Sequence, residues 1–304
     1  MSLKVLRDRV DARVDIVFVH GWKADANHPS WTSTQLICWP EQLIPAKIPE
    51  ARILSYNYEC QLNDFWNDDD DIITDHSNDM LDQIMDQRTE GNQGNRPVIF
   101  IAHCLGGLVV ENALIHGSQN DERKKLVDCV RGLILLATPH YQPSTLSQVN
   151  KYFLLAGEAP LGDDELKLRS KWVLSISVGF ARLRSGQFEL DLLCFYEGTA
   201  MLVDGAKVKI VDSSLASPPG ASAAERLAAD HLRMTQFENG EDRDIGKLVR
   251  ALKRWVAKIP PPPGDENATS KMNIWSHASF GGSTNNGVQM GQVSGSASGF
   301  DFRR

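Results

Sequence analysis

The place where this chain could do chemistry is a cysteine held between a run of β-favouring residues and a pair of glycines. Val98-Ile-Phe-Ile-Ala102 reads as a buried strand, His103-Cys104-Leu105-Gly106-Gly107 follows, and Leu108, Val109, Val110 and Ala113 open a helix. A strand that turns sharply into a helix lifts the side chain at the bend clear of both elements. Only small flanking residues let the helix pack that close. The unpaired N–H groups and positive dipole end of the helix converge on the same point, where they stabilise an oxyanion and favour a thiolate. An isolated buried cysteine is more often a packing residue. The bend and the glycine pair move the reading of Cys104 to a nucleophile.

A nucleophile of this kind needs a base, an acid to orient the base, and donors for a developing oxyanion. The spacing resembles the nucleophile elbow G-x-S-x-G of α/β-hydrolases, with Ala102 at the first small position and Cys104 in place of serine. Enzymes of that class run nucleophile, acid, base in chain order, with the acid after a late strand and the histidine in the loop after the last one. That order selects Glu197, at the end of Asp191-Leu-Leu-Cys-Phe-Tyr-Glu197, and His231, in Ala229-Asp230-His231. Asp204 and Asp212 compete with Glu197 for the acid. His140 comes directly after a strand and ahead of every acid candidate, so it reads as a hydrogen-bonding loop residue. The second oxyanion donor is expected from the loop that ends Val14-Asp-Ile-Val-Phe-Val19, at His20-Gly21-Trp22. The N–H groups of Trp22 and Leu105 would then form the hole.

The elements that must position these residues alternate. Strands are expected at Val14–Val19, Arg52–Tyr58, Val98–Ala102, Arg131–Ala137, Asp191–Glu197 and, as the last, Val208–Asp212. Helices are expected over Trp31–Leu43 with its loop, Asp75–Arg88 (Met80, Leu81, Ile84 and Met85 at helical spacing) and Gly246–Val256. Such alternation specifies a mostly parallel, doubly wound α/β sheet. Residues 141–189 break the rhythm and read as a helical cap. There Leu166, Val173, Ile176, Phe180 and Leu183 share a face and Lys167, Arg169, Lys171, Arg182 and Arg184 surround it, which reads first as a cap helix packed on the core and, as the alternative, as a lid resting on anionic lipid headgroups. The acidic run Asp68–Asp71 lacks the alternating spacing and glycine turn of a cation loop, and no metal or cofactor is called for.

At 304 residues, 42% hydrophobic and 23% charged, the chain suits one sizeable core with an appendage. The five cysteines are scattered and odd in number, and no run has the length or apolarity of a membrane span or signal peptide, so a cytoplasmic, thiol-reduced protein is expected. A net charge of −7 argues against nucleic-acid binding. The organisation expected is a hydrolase domain over residues 1–258, a proline-rich linker over 259–270 and a distinct tail over 271–304. Between Met272 and Phe300 there is no Asp, Glu, Lys or Arg, and Gly287, Gly291, Gly295 and Gly299 recur every fourth residue. Low charge, amide side chains and short apolar steps (Val288, Met290, Val293) describe an amyloid-prone, cross-β-forming segment that orders on templated stacking.

Together, Ile16-Val-Phe-Val-His-Gly21, Trp31-Thr32, Cys38-Trp39, Ala51-Arg-Ile-Leu54, Ile101-Ala-His-Cys-Leu-Gly-Gly-Leu-Val109, Ala137-Thr-Pro-His140 and Ala229-Asp-His231 resemble fungal SERAC1-type esterases and lipases. The stretch from Asn285 to Phe302 is similar to the sigma-type amyloid motif of fungal NLR signalling. The whole resembles the SesB-like lipase effectors that pair with NACHT receptors. That resemblance implies a lipid or other ester substrate and a receptor partner carrying a similar motif. It also implies self-association through the prion-like tail and a part in programmed cell death. In this pattern the nucleophile falls on Cys104, the base on His231, the acid on Glu197 and the oxyanion donors on Trp22 and Leu105. Cysteine in place of serine is the departure: a thioester intermediate preserves the mechanism, whereas a self-assembling pseudoenzyme does without it.

Overall fold

Unbroken apolar runs such as Ile16–Val19 and Val98–Ala102 can be satisfied only by strands covered on both faces, and the fold is built around them. The computed structural model describes residues 1–22, 30–59, 61–66, 71–89, 94–186 and 188–260. The chain opens with β1 (Ser2–Arg7), followed by β2 (Val14–Val19), in which every residue is buried. Two single-turn helices, α1 (Trp39–Gln42) and α2 (Ile44–Lys47), lead to β3 (Ala51–Asn57). Then come α3 (Leu62–Phe65), α4 (Asp71–Thr89), β4 (Val98–His103), α5 (Leu105–Gly117), α6 (Asp121–Val127) and β5 (Val130–Leu136). A 3₁₀ segment, Pro143–Val149, precedes α7 (Asn150–Ala156), α8 (Asp163–Arg169) and α9 (Lys171–Ser185). The rest is β6 (Asp191–Glu197), a hairpin of β7 (Met201–Val203) and β8 (Ala206–Val208), β9 (Glu225–Leu227) and α10 (Arg243–Lys258).

Among the described residues, seven strands form one sheet in the order β1-β3-β2-β4-β5-β6-β9. Only β1 runs antiparallel, against β3; the other pairings are parallel. Because β2 lies between β3 and β4, the winding reverses there. The loops leaving the carboxyl ends of β2 and β4 are therefore neighbours at the switch point, beside which open α/β sheets bind ligands. Helix α5 packs on β2 and β4, with α4 and α9 beside it. Trp255 of α10 lies where a side chain at Gly132 of β5 would otherwise project. The side chain of Asp242 caps α10 by accepting from the N–H groups of Asp244 and Ile245 at 2.7 and 3.3 Å.

The structure departs from the sequence reading in three places. Residues 208–212 are not the last strand: the hairpin ends at Val208, and the sheet is completed by the three residues of β9, whose polar Glu225 and Arg226 hide it from pattern analysis. Trp31 and Thr32 belong to a loop, with Thr32 bridged to Cys38, and the helical residues begin only at Trp39. Leu166 stands on α8, not on the same helix as Val173, Ile176 and Phe180 of α9, and α9 lies along α5. The segment Met1–Ile259 is one compact unit. The linker from 261, the tail motif and the acidic residues 68–70 lie outside the described residues. No helix among the described residues is long and apolar enough to cross a membrane.

At the amino ends of the central strands, one buried carboxylate holds several guanidinium groups. Asp15 of β2 accepts from Arg52 of β3 at 2.8 and 3.1 Å and from Arg96, just before β4, at 2.9 Å; Arg88 of α4 stands 4.0 Å away. All four residues are buried. Burial lowers the pKa of Arg88, an effect that the Asp15 carboxylate opposes. Deleting one member of a buried ion cluster strands the charges left behind. Asp15→Ala should therefore lose about 3–5 kcal/mol of stability in urea or thermal unfolding, and Asp15→Asn should recover only part of it.

Candidate functional site

The bend is made at a cost in backbone strain. Cys104 takes φ +55° and ψ −132°, which a residue with a Cβ adopts only when its surroundings enforce it. Three glycines allow the crowding. A Cβ on Gly106 would stand 2.2 Å from the carbonyl oxygen of His20, and one on Gly107 would stand 2.0 Å from the Thr138 hydroxyl oxygen. A Cβ on Gly21 would stand 2.6 Å from the carbonyl oxygen of His103, 2.7 Å from the Cys104 Cβ and 2.8 Å from the Leu105 nitrogen. The turn after β2 is thus pressed against the first turn of α5, beside the Leu105 N–H. Trp22, half-buried, continues that turn.

His231 and Glu197, from opposite ends of a 34-residue separation, meet under the same carboxyl edge of the sheet. His231 Nδ1 lies 2.8 Å from Glu197 Oε1, and both side chains are fully buried. The remaining capacity of Glu197 is filled by backbone: Val211 N–H donates to Oε1 at 2.6 Å and Ile210 N–H to Oε2 at 3.0 Å. A carboxylate held by two amides and an imidazole N–H is stable in the dry interior. Of the competing acids, Asp212 is engaged with Ser214 (2.9 Å to its N–H, 2.5 Å to its hydroxyl) and with Lys151 at 3.5 Å. Asp204 stands exposed in the turn of the β7–β8 hairpin. Only Glu197 pairs with His231.

Burial alone would pull the His231 ring down, but the adjacent Cys104 charge, and then Glu197, outweigh it and push the pKa up to about 10. Nε2 of His231 makes no hydrogen bond of ordinary geometry, although the Cys104 sulfur is near enough to exert that pull. The imidazole of His103 is kept neutral, first by burial and then by the His231 charge. Its Nε2, 2.9 Å from the His231 carbonyl oxygen, therefore carries the proton and fixes the backbone of the base loop.

The sequence reading passed over two tyrosines. Tyr152 of α7 places its hydroxyl 3.5 Å from Cys104 Sγ, and its ring stands edge-on to His231 with centroids 5.7 Å apart. Burial and then the neighbouring Cys104 raise the pKa of Tyr152 well above the usual value, so it stays a phenol. Tyr141, just beyond β5, is raised by the same two causes, and its buried hydroxyl has no partner among the described residues. Trp66 packs on Tyr152 at 5.2 Å between centroids, and Cys104 has no exposed surface. The signal for Tyr141 was positional, immediately after Ala137-Thr-Pro-His140 at the carboxyl end of a strand. For Tyr152 no sequence signal existed. Among the described residues no group of three His, Cys, Asp or Glu could hold a metal, and Cys38, Cys104, Cys129 and Cys194 are free thiols.

A parallel sheet with its strained elbow after β4, and a histidine–carboxylate pair beneath the same edge, is the α/β-hydrolase class. The model of the alpha/beta hydrolase family matches residues 16–269, and the chain belongs to that family. Protein SERAC1 of mouse is 28% identical over 148 residues, 42% of this chain and 22% of its own length; the human protein is 27% identical over 148 residues, with the same coverage. The chain thus spans about a fifth of the length of the curated relatives it matches. Among solved structures, an esterase from Rhizomucor miehei superposes with a TM-score of 0.48 at 12% identity (82% of this chain, 77% of that one). A soluble variant of Saccharomyces cerevisiae monoglyceride lipase gives 0.42 at 11% (84% and 90%).

Because the pKa of His231 is raised, its contribution to stability is fully present below its ordinary 6.5 and is lost as pH rises through about 10. Glu197→Gln removes one of the groups holding the proton, so the alkaline loss should begin at lower pH in thermal melts across pH 7–11. Gly106→Ala forces a Cβ into backbone and should cost about 3 kcal/mol or more, whereas Gly94→Ala, with no atom within 4 Å, should change stability little.

Proposed function

We propose that this chain is a carboxylic ester hydrolase of the lipase and esterase kind, acting by acyl transfer through Cys104. The observation that carries the reading is the buried Glu197–His231 pair beneath a cysteine at a strained elbow. Cys104 Sγ attacks the ester carbonyl while His231 holds the thiol proton. The negative oxygen of the tetrahedral intermediate is met by the N–H groups of Leu105 and Trp22. Collapse expels the alcohol, which takes the proton from His231 and leaves a thioester on Cys104. Water then attacks the thioester, with His231 as base; the acid departs and the sulfur recovers its proton. Glu197 orients the ring and supports the imidazolium. The esterase and lipase named among the solved structures agree with this class, and a lipid ester fits the aromatic cluster of Trp66, Tyr152 and Phe153, which reaches the sulfur through Tyr152.

The same proposal gives the tail its part. The similarity of Asn285 to Phe302 to a sigma-type amyloid motif supports an effector of NLR-type cell death. A NACHT receptor with a like motif would template the tail, and self-association would bring the hydrolase units together in the cytoplasm or at a membrane surface. The membrane part has less charge behind it than the sequence suggested: Lys167 and Arg169 are paired with Asp164 at 3.5 Å and Glu165 at 2.7 Å, leaving Lys171, Arg182 and Arg184 on α9. A second reading, a scaffold without turnover, draws support from one observation, the closed site in which the thiol pairs with Tyr152 instead of His231.

Fluorophosphonate or activated thioester probes separate the two readings. The enzyme requires labelling at Cys104 that falls at least tenfold in His231→Ala; labelling indifferent to His231 favours the scaffold. Tyr152→Ala should speed modification of Cys104 by iodoacetamide several-fold, because the hydroxyl and ring that cover the sulfur are gone. A peptide of residues 271–304 should form fibrils with a meridional spacing of about 4.8 Å and, added as seeds, should raise turnover of lipid vesicles by the full-length protein. Soluble, unseeded behaviour of that peptide would remove the tail from the mechanism.

A further inference from the structure

A second histidine–carboxylate pair lies buried behind the first and is not used by the mechanism above. His140 Nε2 lies 2.7 Å from Glu111 Oε1, and neither side chain has any exposed surface. Glu111 is on α5, two turns beyond the elbow it follows; His140 is in the loop after β5. His140 also turns back on the acid loop: its backbone N–H donates to the Leu215 carbonyl at 2.8 Å, and its ring Nδ1 is 3.2 Å from the same oxygen. A carbonyl oxygen only accepts, so Nδ1 carries a hydrogen. Nε2 is then left facing Glu111 Oε1.

Leu215 is tied into the turn that holds the triad acid. The N–H groups of Leu215 and Ala216 both donate to the Asp212 carbonyl, at 3.1 and 3.2 Å. The residues just before it, Ile210 and Val211, supply the two backbone N–H groups that fix the Glu197 carboxylate. A chain of bonded contacts therefore runs from the nucleophile's own helix through Glu111, His140, the 210–216 turn and Glu197 to His231. We propose that Glu111 and His140 are positioning residues for the hydrolase reaction: together they clamp the Leu215 carbonyl and so hold the turn whose amides aim Glu197 at His231. The proposal rests on the hydrolase reading for its kinetic consequence but not for its geometric one. It gives a reason for an acid on α5 among the fully buried Leu108, Val109, Val110, Ala113 and Leu114. An acid there is costly unless it is paired.

The test uses full-length protein and two readouts. One is hydrolysis of a soluble p-nitrophenyl ester. The other is the downfield proton resonance of the His231–Glu197 hydrogen bond, assigned by its loss in His231→Ala. Glu111→Leu should lower kcat at least tenfold with KM within twofold, and should shift or broaden the resonance. Glu111→Gln, which can still donate an amide proton to His140 Nε2, should restore both. His140→Gln keeps a partner for Glu111 but gives up the ring's bond to Leu215; it should lower kcat at least fivefold and perturb the resonance, and it decides the matter if Glu111→Leu fails to fold. A folded Glu111→Leu or His140→Gln with unchanged kcat and unchanged resonance overturns the proposal. If the unsubstituted protein turns over no ester, the hydrolase reading fails, and the resonance alone still decides whether the clamp exists.

Discussion

Everything at the site depends on how closely two pieces of backbone approach each other. The turn after β2 and the first turn of α5 are in contact through atoms that leave no room for a Cβ at Gly21 or Gly106. That contact forces Cys104 into its positive-φ conformation and brings the Leu105 N–H up against the β2 loop. Sheet topology sets up the contact, since the winding reverses at β2 and the two loops are neighbours. The chemistry is therefore a consequence of strand order first and of side-chain choice second.

Around the elbow the protein buries many polar groups and matches several of them. Glu197 is held by two amides and a ring; His231 is fixed through its carbonyl by the neutral His103; His140 and Glu111 hold each other. His231 Nε2, the Tyr141 and Thr138 hydroxyls, Glu111 Oε2 and Trp66 Nε1 lack partners among the described residues. At the far end of the sheet the Asp15 cluster ties β2, β3 and α4 to the start of β4, so the strands that present the elbow are anchored at the ends opposite their working ends.

Much of this was legible in the sequence, for identifiable reasons. β2, β4 and β5 are mainly apolar, buried runs, β6 shows as Leu192 to Tyr196 between two acids, and chain order within the hydrolase pattern pointed to Glu197 and His231. β9 was invisible because three residues, two of them charged, carry no periodicity; its place as the last strand was assigned to residues 208–212, which instead form the turn that grips Glu197. The choice among Glu197, Asp204 and Asp212 needed coordinates, since all three lie in the right interval and only distance tells them apart. Tyr152 was beyond reach: its role comes from α7 folding back over the sulfur, a tertiary contact between residues 48 positions apart. The Glu111–His140 contact, between residues 29 apart, was likewise hidden, although His140 was already read as a hydrogen-bonding loop residue.

The brevity of β9 has a consequence for how the molecule fails. The strand contributes three paired residues at the outer margin of the sheet, and His231 follows it by four positions. Marginal strands of this length exchange with partly open forms well before the cohesive centre gives way. His231 therefore depends on the sheet's shortest edge, while Cys104 stands on one of its central strands. If that edge opens first on gradual heating, the imidazole and the sulfur part while the centre of the sheet is still intact.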